Sequence, residues 1–441
     1  LAAFSAGDAG PGMALRSTLR QAIELRAHDE GGIASVRLEL LEDALREVGD
    51  VPRGDANSAW VVRAERLDAE AQSPQSRLML VRWLAASWRF DEAEAALGTI
   101  SSEQAALEGA NDIAQAYESA GRFDEAIPLY EKALADSVRV LGDDHPDVLG
   151  ARNNLAVAYR VMGRLSEAIA LFEEVVADSV RVLGPDRPHT LASRGNLAVA
   201  YQEEGRIDEA IPLFEEVVAD SVRVLGPDHP HTLVSRYNLA GAYREEGCLD
   251  EAIPLYEGVL ADRVRILGAD HPHTLVSRID LAGAYQAAGR LGEATTLFEG
   301  VLADHARILG DDHPLTFTAR NALAGTYQAA GRLSEAIPLF EQVAADRVRV
   351  LGKDHPQTLT SRGNLAGAYY SVGRLGEAIP LYEQVLADQL RVLGPNHPYT
   401  VASRCYLARA YREAGRVDDA TAVLDPLTDS DDVDADHIES R

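Results

Sequence analysis

Lysine is almost missing from this chain, and basic residues as a whole are outnumbered by acidic ones. The only lysines are Lys132 and Lys353, so nearly all of the 42 Lys and Arg residues are arginine, against 70 Asp and Glu residues. The formal net charge of −28 repels phosphate groups and argues against nucleic acid or anionic lipid as the main partner. No apolar run reaches transmembrane length. We therefore expect neither a nucleic-acid partner nor a membrane partner.

Cysteine is scarce too, with only Cys248 and Cys405 in 441 residues. They lie far apart in the chain, and the stacked repeats described below keep them separate. We expect two free thiols and a reducing compartment, hence a cytoplasmic protein. The chain starts at Leu1 rather than at a methionine, which leaves open that it is excised from a longer protein.

Motifs for catalysis or cofactor binding are missing as well. The sequence has no phosphate-binding loop, paired cysteines, nucleophile elbow or zinc-binding helix. Histidine recurs, but at equivalent points of successive repeats, which are spread along the molecule and cannot converge on one metal ion. We interpret these histidines as turn residues: His145, His229, His271, His313, His355 and His397. The sequence predicts a non-enzymatic protein with no cofactor and no metal.

What the sequence does contain is a repeat of 42 residues that runs end to end. A marker glycine recurs at this spacing without insertions: Gly121, Gly163, Gly205, Gly247, Gly289, Gly331, Gly373 and Gly415. A fixed period in this range is typical of a solenoid, in which each supersecondary element stacks on the next. The repeats therefore predict an all-α solenoid with one continuous core.

Each repeat has the pattern of two helices. In one repeat the first helix is predicted from Leu191 to Glu204, where Gly205 ends it. The second helix is predicted to open at Asp208, because acidic residues suit the N-terminal end of the helix dipole, and to run to about Leu225.

Proline and threonine mark the predicted helix ends. Pro212 is expected in the first turn of the second helix, where its missing N–H costs least. Thr232 is expected to cap the next first helix. In the last repeat we expect a first helix from Val401 to Ala414 and a second helix that ends near Pro426.

The regular repeats cover only part of the chain. Residues 1–73 show helical patterns without the repeat signature and are predicted to be an N-terminal helical cap or the remnant of an upstream domain. Residues 74–106 are predicted to form a degenerate repeat-like element, and residues 107–427 eight regular repeats. Residues 428–441 are predicted to be an acidic, disordered tail.

The repeat resembles the tetratricopeptide repeat. The resemblance is carried by Asn-Leu-Ala-x-Ala-Tyr, then Gly-Arg, then Glu-Ala-Ile-x-Leu-Phe/Tyr, and it covers residues 107–427. The 42-residue length and the Leu-Gly-x-Asp-His-Pro connector resemble the kinesin-light-chain subtype, which also occurs in bacterial repeat proteins. The resemblance implies a right-handed superhelix of helical hairpins, with first helices lining a concave groove. It also implies a binding scaffold without chemistry of its own.

A helical wheel separates the core side of each first helix from its groove side. In one repeat Leu197, Ala198 and Tyr201 fall on the core side, and Asn196 and Val199 lie opposite them. The residue equivalent to Val199 is glycine in four consecutive repeats: Gly241, Gly283, Gly325 and Gly367. A glycine inside a helix costs about 0.5–1 kcal/mol relative to alanine. We interpret these glycines as residues that keep the groove free of side chains so that a ligand can approach the backbone. The alternative is that duplication of the repeat copied the glycine without a functional reason. Close packing is disfavoured, because the neighbouring core-side position already carries alanine.

A ladder of short polar residues accompanies the glycines: Asn154, Asn196, Asn238, Asp280 and Asn364. An asparagine side chain can both donate to and accept from an extended peptide backbone. In the resembling family, asparagines at this place hold the main chain of the peptide. We therefore predict peptide contact here, and the alternative is that each asparagine bonds to the neighbouring helix.

Arginine recurs one turn earlier in the first helices: Arg152, Arg194, Arg236, Arg278, Arg320, Arg362 and Arg404. The wheel places this row on the core side, where a poorly solvated charge needs a partner. We therefore expect ion pairs within the array, with the recurring acids Glu173 and Asp178 and their equivalents, rather than a stripe that binds anionic ligands.

The sequence thus predicts a scaffold that binds a protein or peptide segment in the groove. Specificity is expected from the residues Tyr237, Glu245, Gln286 and Tyr370. The groove edge is more acidic than the basic grooves of kinesin light chains that take acidic peptides, so neutral, apolar or basic segments are equally favoured. The alternatives are a ligand-sensing or regulatory arm of a larger signalling ATPase or transcription regulator, and an array that docks a catalytic partner.

Overall fold

The computed structural model describes residues 73–428. These residues form eighteen α-helices and, within this range, no β-strand. The all-α fold expected from the repeats is confirmed. All but one residue of the predicted N-terminal cap, and all but one residue of the predicted acidic tail, lie outside the described range.

The helices fall into two compact units, which divide after Leu225. Residues 73–225 contain eight helices: α1 (Pro74–Ala86), α2 (Phe90–Leu97), α3 (Glu103–Ser119), α4 (Phe123–Leu141), α5 (Pro146–Val161), α6 (Leu165–Val182), α7 (Pro188–Glu203) and α8 (Ile207–Leu225). Residues 226–428 contain ten: α9 (Pro230–Glu246), α10 (Leu249–Leu267), α11 (Pro272–Ala287), α12 (Leu291–Leu309), α13 (Pro314–Ala329), α14 (Leu333–Leu351), α15 (Pro356–Ser371), α16 (Leu375–Val392), α17 (Pro398–Glu413) and α18 (Val417–Thr428). In both units an odd-numbered first helix packs against the even-numbered second helix that follows it, which makes a hairpin.

Most first helices begin at a proline that follows a capping histidine. In α11, His271 is the N-cap, and its Nδ1 accepts a hydrogen bond from the backbone N–H of His273 at 3.2 Å. The same cap recurs at His145, His229, His313, His355 and His397. These histidines are turn residues, as predicted, but the predicted cap was wrong, because the hydroxyl of Thr232 donates instead to a carbonyl of the connector at 2.8 Å. The first helices consequently start earlier than expected, at Pro188 rather than Leu191.

Second helices follow a glycine with positive φ. Gly205 has φ 81°, as suits the glycine predicted to end the first helix, and α8 then runs close to its expected range. Pro212 is the sixth residue of α8 and not a first-turn residue as predicted. Because it is exposed, the carbonyl that its missing N–H leaves unpaired is accessible to water. In the last hairpin the second helix passes the expected end at Pro426 and continues to Thr428.

The core of each hairpin lies between the facing sides of its two helices. In α7, Leu197 and Ala198 are buried, and Phe214 of α8 is fully buried beside them. Asn196 and Val199, on the opposite side of α7, are partly exposed. The burial pattern confirms the helical wheel, and each such large apolar side chain contributes about 1.5–3 kcal/mol to folding.

A tyrosine, a glutamate and an arginine join successive hairpins. The hydroxyl of Tyr327 on α13 donates to Glu299 Oε1 on α12 at 2.7 Å, and the guanidinium of Arg332 lies 4.2 Å from the centre of the tyrosine ring. The same arrangement recurs at Tyr159, Tyr201, Tyr285, Tyr369 and Tyr411. The Tyr and Gly-Arg of the repeat pattern therefore have a structural function.

The arginine row on the first helices forms ion pairs within the hairpins, as predicted. Six of the seven guanidinium groups donate to an aspartate of the second helix at 2.6–3.3 Å: Arg152 to Asp178, Arg194 to Asp220, Arg236 to Asp262, Arg278 to Asp304, Arg320 to Asp346, and Arg362 to Asp388. Glu173 was also expected as a partner, but it accepts a hydrogen bond from Tyr201 instead. Arg404 donates to the backbone carbonyl of Val423.

Candidate functional site

The first helices of residues 226–428 present one partly exposed side away from the core, which we call the first-helix face. It includes most of the predicted site residues: Asn238, Gly241, Asp280, Gly283, Gly325, Asn364, Gly367 and Tyr370. Asn154 and Asn196 occupy the equivalent positions of α5 and α7 in residues 73–225. In each of the two units, the predicted residues therefore lie on the side of the first helices that faces away from the core.

The asparagine ladder is tied together by hydrogen bonds between neighbouring first helices. The amide Nδ2 of one asparagine donates to the Oδ1 of another at 3.1–3.2 Å in three pairs: Asn154 to Asn111, Asn196 to Asn153, and Asn364 to Asn321. The alternative of bonds to the neighbouring helix therefore holds at these positions. The predicted peptide contact stays a prediction, because each side chain retains a second N–H and carbonyl capacity.

Tyr237 and Asp280 are bonded to each other. The hydroxyl of Tyr237 on α9 donates to Asp280 Oδ2 on α11, and Arg244 Nη1 lies 3.7 Å from Asp280 Oδ1. The guanidinium of Arg263 lies 4.8 Å from the centre of the Tyr237 ring. Burial, followed by the hydrogen bond to Asp280, raises the pKa of Tyr237. These two predicted ligand contacts serve as a link between α9 and α11.

The four glycines do not share one explanation. A Cβ on Gly241 would lie 3.6 Å from the hydroxyl of Tyr256, and one on Gly367 would lie 3.3 Å from the hydroxyl of Tyr382. Only the contact at Gly367 is tighter than ordinary van der Waals contact, so close packing, which the sequence disfavoured, is a reason for glycine there and not at Gly241. A Cβ on Gly283 would meet only the mobile end of Arg244 at 3.6 Å, and one on Gly325 would have no neighbour within 4 Å. Open surface therefore accompanies glycine at the middle two positions.

Glu245 and Gln286 were also expected to set specificity. Glu245 is exposed near the end of α9. Gln286, on α11, accepts a hydrogen bond from the hydroxyl of Thr326 at 3.2 Å. With Tyr370 on α15, these residues lie on three different first helices and do not form one compact cluster.

A cavity of about 560 Å³ opens on the first-helix face between α15 and α17, with α16 at its base. Three predicted site residues line it: Asn364, Gly367 and Tyr370. The other side chains that define its chemistry are Tyr382, Gln389, Tyr399, Ser403, Tyr406 and Arg409. The structure therefore brings part of the predicted site together with residues from the following hairpin.

Aromatic rings and one cation dominate this cavity. The rings of Tyr382 and Tyr406 stack with centroids 6.3 Å apart, and the guanidinium of Arg409 lies 5.6 Å from the centre of the Tyr370 ring. Arg409 is the one charged residue that lines the cavity. Burial raises the pKa of Tyr382 to about 12. Among the described residues its hydroxyl has no hydrogen-bond partner, so it can still donate to a ligand and accept from it.

Residues 73–225 contain a smaller cavity of about 390 Å³ between first helices. It is lined by Asn111, Asn153 and Asn154, and by Ser137 and Ser179 of the second helices. No tyrosine, phenylalanine or tryptophan side chain lines it. It therefore offers polar contacts without the stacking surface of the larger cavity.

The sequence-based prediction of the site missed the cavity-lining residues of α16 and α17. Tyr406 stands where the ladder has asparagine, and Arg409 stands where the four glycines recur. The signal was present, since both residues break the repeat. The prediction relied on residues that recur in several repeats, whereas Tyr406 and Arg409 differ from the residues at the same positions of the other repeats.

Residues 73–428 show no sign of metal binding or of a membrane span. No group of three or more His, Cys, Asp or Glu side chains there could hold a metal ion. Cys248 and Cys405 are both free thiols, as predicted, and burial raises the pKa of Cys405. In the same range, no helix combines the length and the apolar character that a membrane span requires.

Comparison with known families identifies the repeat. Seven overlapping stretches match the tetratricopeptide repeat, and they run from residue 103 to residue 425: residues 103–178, 147–219, 194–247, 232–299, 279–347, 335–389 and 363–425. The matches span well over half of the chain. The comparison with curated proteins found no match.

Solved structures show the same kind of repeat. The structure of nearly identical tetratricopeptide-like repeats from a putative kinesin light chain of Podosopora anserina is 40% identical, covers 46% of this chain and 97% of its own, and has a TM-score of 0.44. The apo quorum sensor NprR from B. thuringiensis is 15% identical, with a TM-score of 0.57, and the match covers 86% of this chain and 99% of that one.

A signal transduction ATPase with numerous domains and a tetratricopeptide repeat sensor, from Pyrococcus horikoshii, is 14% identical with a TM-score of 0.53. That match covers 87% of this chain and 55% of the ATPase. At such identities the likeness to the quorum sensor and to the ATPase concerns the fold alone. The matched repeats span more than half of the chain and show that it belongs to the tetratricopeptide repeat family.

Proposed function

We propose that the chain is a non-enzymatic scaffold that binds a polypeptide segment on the first-helix face, with the cavity between α15 and α17 as its anchoring site. The observation that carries the proposal is the cavity itself, which has a volume of about 560 Å³ and is lined by four tyrosine side chains. Concave sites lined by aromatic side chains with a few polar groups are the usual form of ligand pockets.

The composition of the cavity suits a polypeptide better than a small charged metabolite. Tyr399 and Tyr406 are more than half exposed, at 55% and 54%, and tyrosine is among the residues most often found at the centre of protein interfaces. A single charged lining residue, Arg409, provides too little charge to hold a phosphate or a polyanion. Stacking and hydrogen bonding therefore provide most of the available binding energy.

The binding surface extends along neighbouring first helices. Gly363 lines the same cavity, and a Cβ there would have no neighbour within 4 Å. On α13, Gly325 is equally open, and Asn364 keeps an amide hydrogen beyond its bond to Asn321. An extended segment anchored between α15 and α17 can thus continue over α13 without meeting large side chains.

The proposal is tested with a displayed library of random peptides, selected on the full chain. We expect recovered peptides to bind the wild-type protein and to lose at least about tenfold in affinity, about 1.4 kcal/mol, with Gly363→Leu, which projects a side chain into the cavity. Gly376→Leu is the matched control, because Gly376 is an exposed helical glycine on α16 with equally open surroundings. Failure to recover any peptide, or equal loss with both variants, would overturn the proposal.

A second function, as a regulatory arm of a larger ATPase or transcription regulator, remains compatible with a binding scaffold. The ATPase from Pyrococcus horikoshii provides an example of a tetratricopeptide repeat sensor within such a protein. Because that likeness concerns the fold alone, we do not extend it to a proposal about this chain.

A further inference from the structure

One buried position on the second helices changes its chemistry from hairpin to hairpin. At 42-residue intervals it is occupied by Ser137, Ser179, Ser221, Arg263, His305, Arg347 and Gln389. All seven side chains are buried, with relative exposures of 1–5%. Buried positions of repeat proteins normally keep one residue type, as the alanine and phenylalanine or tyrosine positions do here. A buried position that varies among serine, arginine, histidine and glutamine therefore needs a specific explanation.

The two arginines show what fills the space next to this position. Arg347 Nη1 donates to Ser361 Oγ at 2.6 Å and to the carbonyl of Gln357 at 3.1 Å, both on the next first helix. Arg263 makes the equivalent bonds to Ser277 Oγ at 2.7 Å and to the carbonyl of His273 at 3.1 Å. A long side chain at this position thus fills the gap beside the next first helix and satisfies its serine.

Gln389 is too short to repeat this arrangement. The residues equivalent to the partners of Arg347 are Ser403 and Tyr399, and neither accepts a hydrogen bond from Gln389. Instead Gln389, Tyr399 and Ser403 all line the cavity of about 560 Å³. The smaller cavity in residues 73–225 is likewise lined by this position, through Ser137 and Ser179. Both cavities therefore occur where the second-helix residue is shorter than arginine. Ser221 and His305 are also shorter but line neither cavity, so a short residue at this position permits a pocket without being sufficient for one.

Gln389 has an unpaired polar atom at the base of the larger cavity. Its Oε1 is buried and has no hydrogen-bond partner in the described part of the chain, although the side chain is 4% exposed. The hydroxyl groups of Ser403 and Tyr382 line the same cavity. Each buried polar group left unpaired costs about 1–3 kcal/mol. A ligand that pairs with these groups therefore recovers free energy that the unliganded protein lacks.

We propose that a side chain shorter than arginine at this second-helix position leaves room for a pocket on the first-helix face, and that Gln389 equips the α15–α17 pocket for the side-chain carboxamide of an asparagine or glutamine in a bound polypeptide. This inference rests on the proposed peptide-binding function and adds the group that the pocket selects. A carboxamide donates and accepts at once, so it can pair with the Gln389 amide in either orientation of that amide.

Other side chains fit the pocket less well. A cation meets Arg409 and no acidic residue among the lining side chains. A carboxylate has no hydrogen to donate and leaves the Gln389 carbonyl oxygen unpaired. An aliphatic side chain stacks on the tyrosines but leaves all the polar groups of the base unpaired. The planar carboxamide satisfies the base and can lie against the rings of Tyr382 and Tyr406.

The test uses the peptides selected from the displayed random library on the full chain, measured by calorimetry. We expect enrichment of asparagine or glutamine at one position, and at least about tenfold weaker binding, about 1.4 kcal/mol, when that residue is replaced by its acid or by methionine. Gln389→Arg should weaken binding by a similar factor with an unchanged or raised melting temperature, because the new arginine can reach Ser403 and the Tyr399 carbonyl.

The matched control is Arg347→Gln, which shortens the equivalent residue one hairpin earlier, where the counterpart of Tyr406 is Asn364 and that of Tyr382 is Phe340. It should leave the affinity of the selected peptides unchanged. Recovered peptides that bind Gln389→Arg as they bind the wild type, or that carry no preferred carboxamide, would overturn this inference and leave the peptide-binding function standing. If no peptide is recovered, or if Gly363→Leu has no effect, the proposed function fails and this inference fails with it.

Discussion

The hydroxyl of Tyr285 on α11 donates a hydrogen bond of 2.6 Å to Glu257 Oε1 on α10, which joins one hairpin to the next. The guanidinium of Arg290 covers the same ring, 4.2 Å from its centre, and also bonds Glu293. Burial and the hydrogen bond to Glu257 raise the pKa of Tyr285 to about 12 from its ordinary value of 10.0. This contact depends on a protonated phenol, so it makes the stability of the array sensitive to alkaline pH.

We predict that stability falls as the pH rises from about 10 to about 12. In this window the unfolded tyrosine has lost its proton and the folded tyrosine keeps it, so the unfolded state binds fewer protons and gains from each rise in pH. Replacement of Tyr285 by phenylalanine should reduce the steepness of this loss in urea unfolding experiments. A Tyr285→Phe protein with the same pH profile as the wild type would contradict the assignment, and Tyr399, which is exposed and has no such bond, provides the control position.

The buried arginine row should matter more for stability than the outer arginines that contact the same aspartates. Arg320 pairs with Asp346 at 3.3 Å with only 6% of its side chain exposed, whereas Arg349 pairs with Asp346 at 3.0 Å with 54% exposed. Arg320→Ala should lower the free energy of unfolding by about 3 kcal/mol, because it removes the buried one of the two arginines that pair with a partly buried carboxylate. Arg349→Ala should cost less than about 1 kcal/mol. Chemical denaturation of the two variants measures the difference, and equal effects would refute the distinction.

The two kinds of glycine on the first-helix face should respond differently to alanine. Gly325→Ala should stabilise the protein by about 0.4–1 kcal/mol, because its Cβ meets no neighbour and alanine is the better helix former. At Gly367 the new Cβ would lie 3.3 Å from the Tyr382 hydroxyl, so the same gain is reduced or cancelled. Thermal unfolding of the two variants compares them directly. If Gly367→Ala is stabilised as much as Gly325→Ala, the packing explanation for Gly367 is wrong.

Much of the fold was predictable from the sequence, because each local sequence pattern that favours a helix or a turn recurs eight times at intervals of 42 residues. The position of Leu197 and Ala198 in the core and the pairing of Arg236 and Arg278 with aspartates follow from helical geometry, and the structure confirms them. The capping function of His229 and the partner of Thr232 did not follow, since both depend on the conformation of the connector.

The candidate site was only partly predictable. Asn364, Gly367 and Tyr370 were expected on the exposed side of the helix, and they do line the cavity. Which neighbour an asparagine bonds depends on the stagger of adjacent first helices, which sequence periodicity does not specify. The base of the cavity depends on Gln389, whose importance appears only when its length is compared with that of Arg347 in the folded hairpins.

The most direct test of the central claim is a photocrosslinking experiment with a peptide selected on the full chain. A benzophenone amino acid is placed at Tyr406, which lines the cavity, and in a second protein at Val350, which is exposed on a second helix. The account predicts that the peptide crosslinks to the protein labelled at position 406, that unlabelled peptide competes, and that the protein labelled at position 350 gives only background. Crosslinking from position 350, with none from position 406, would contradict the claim that the α15–α17 cavity is the binding site.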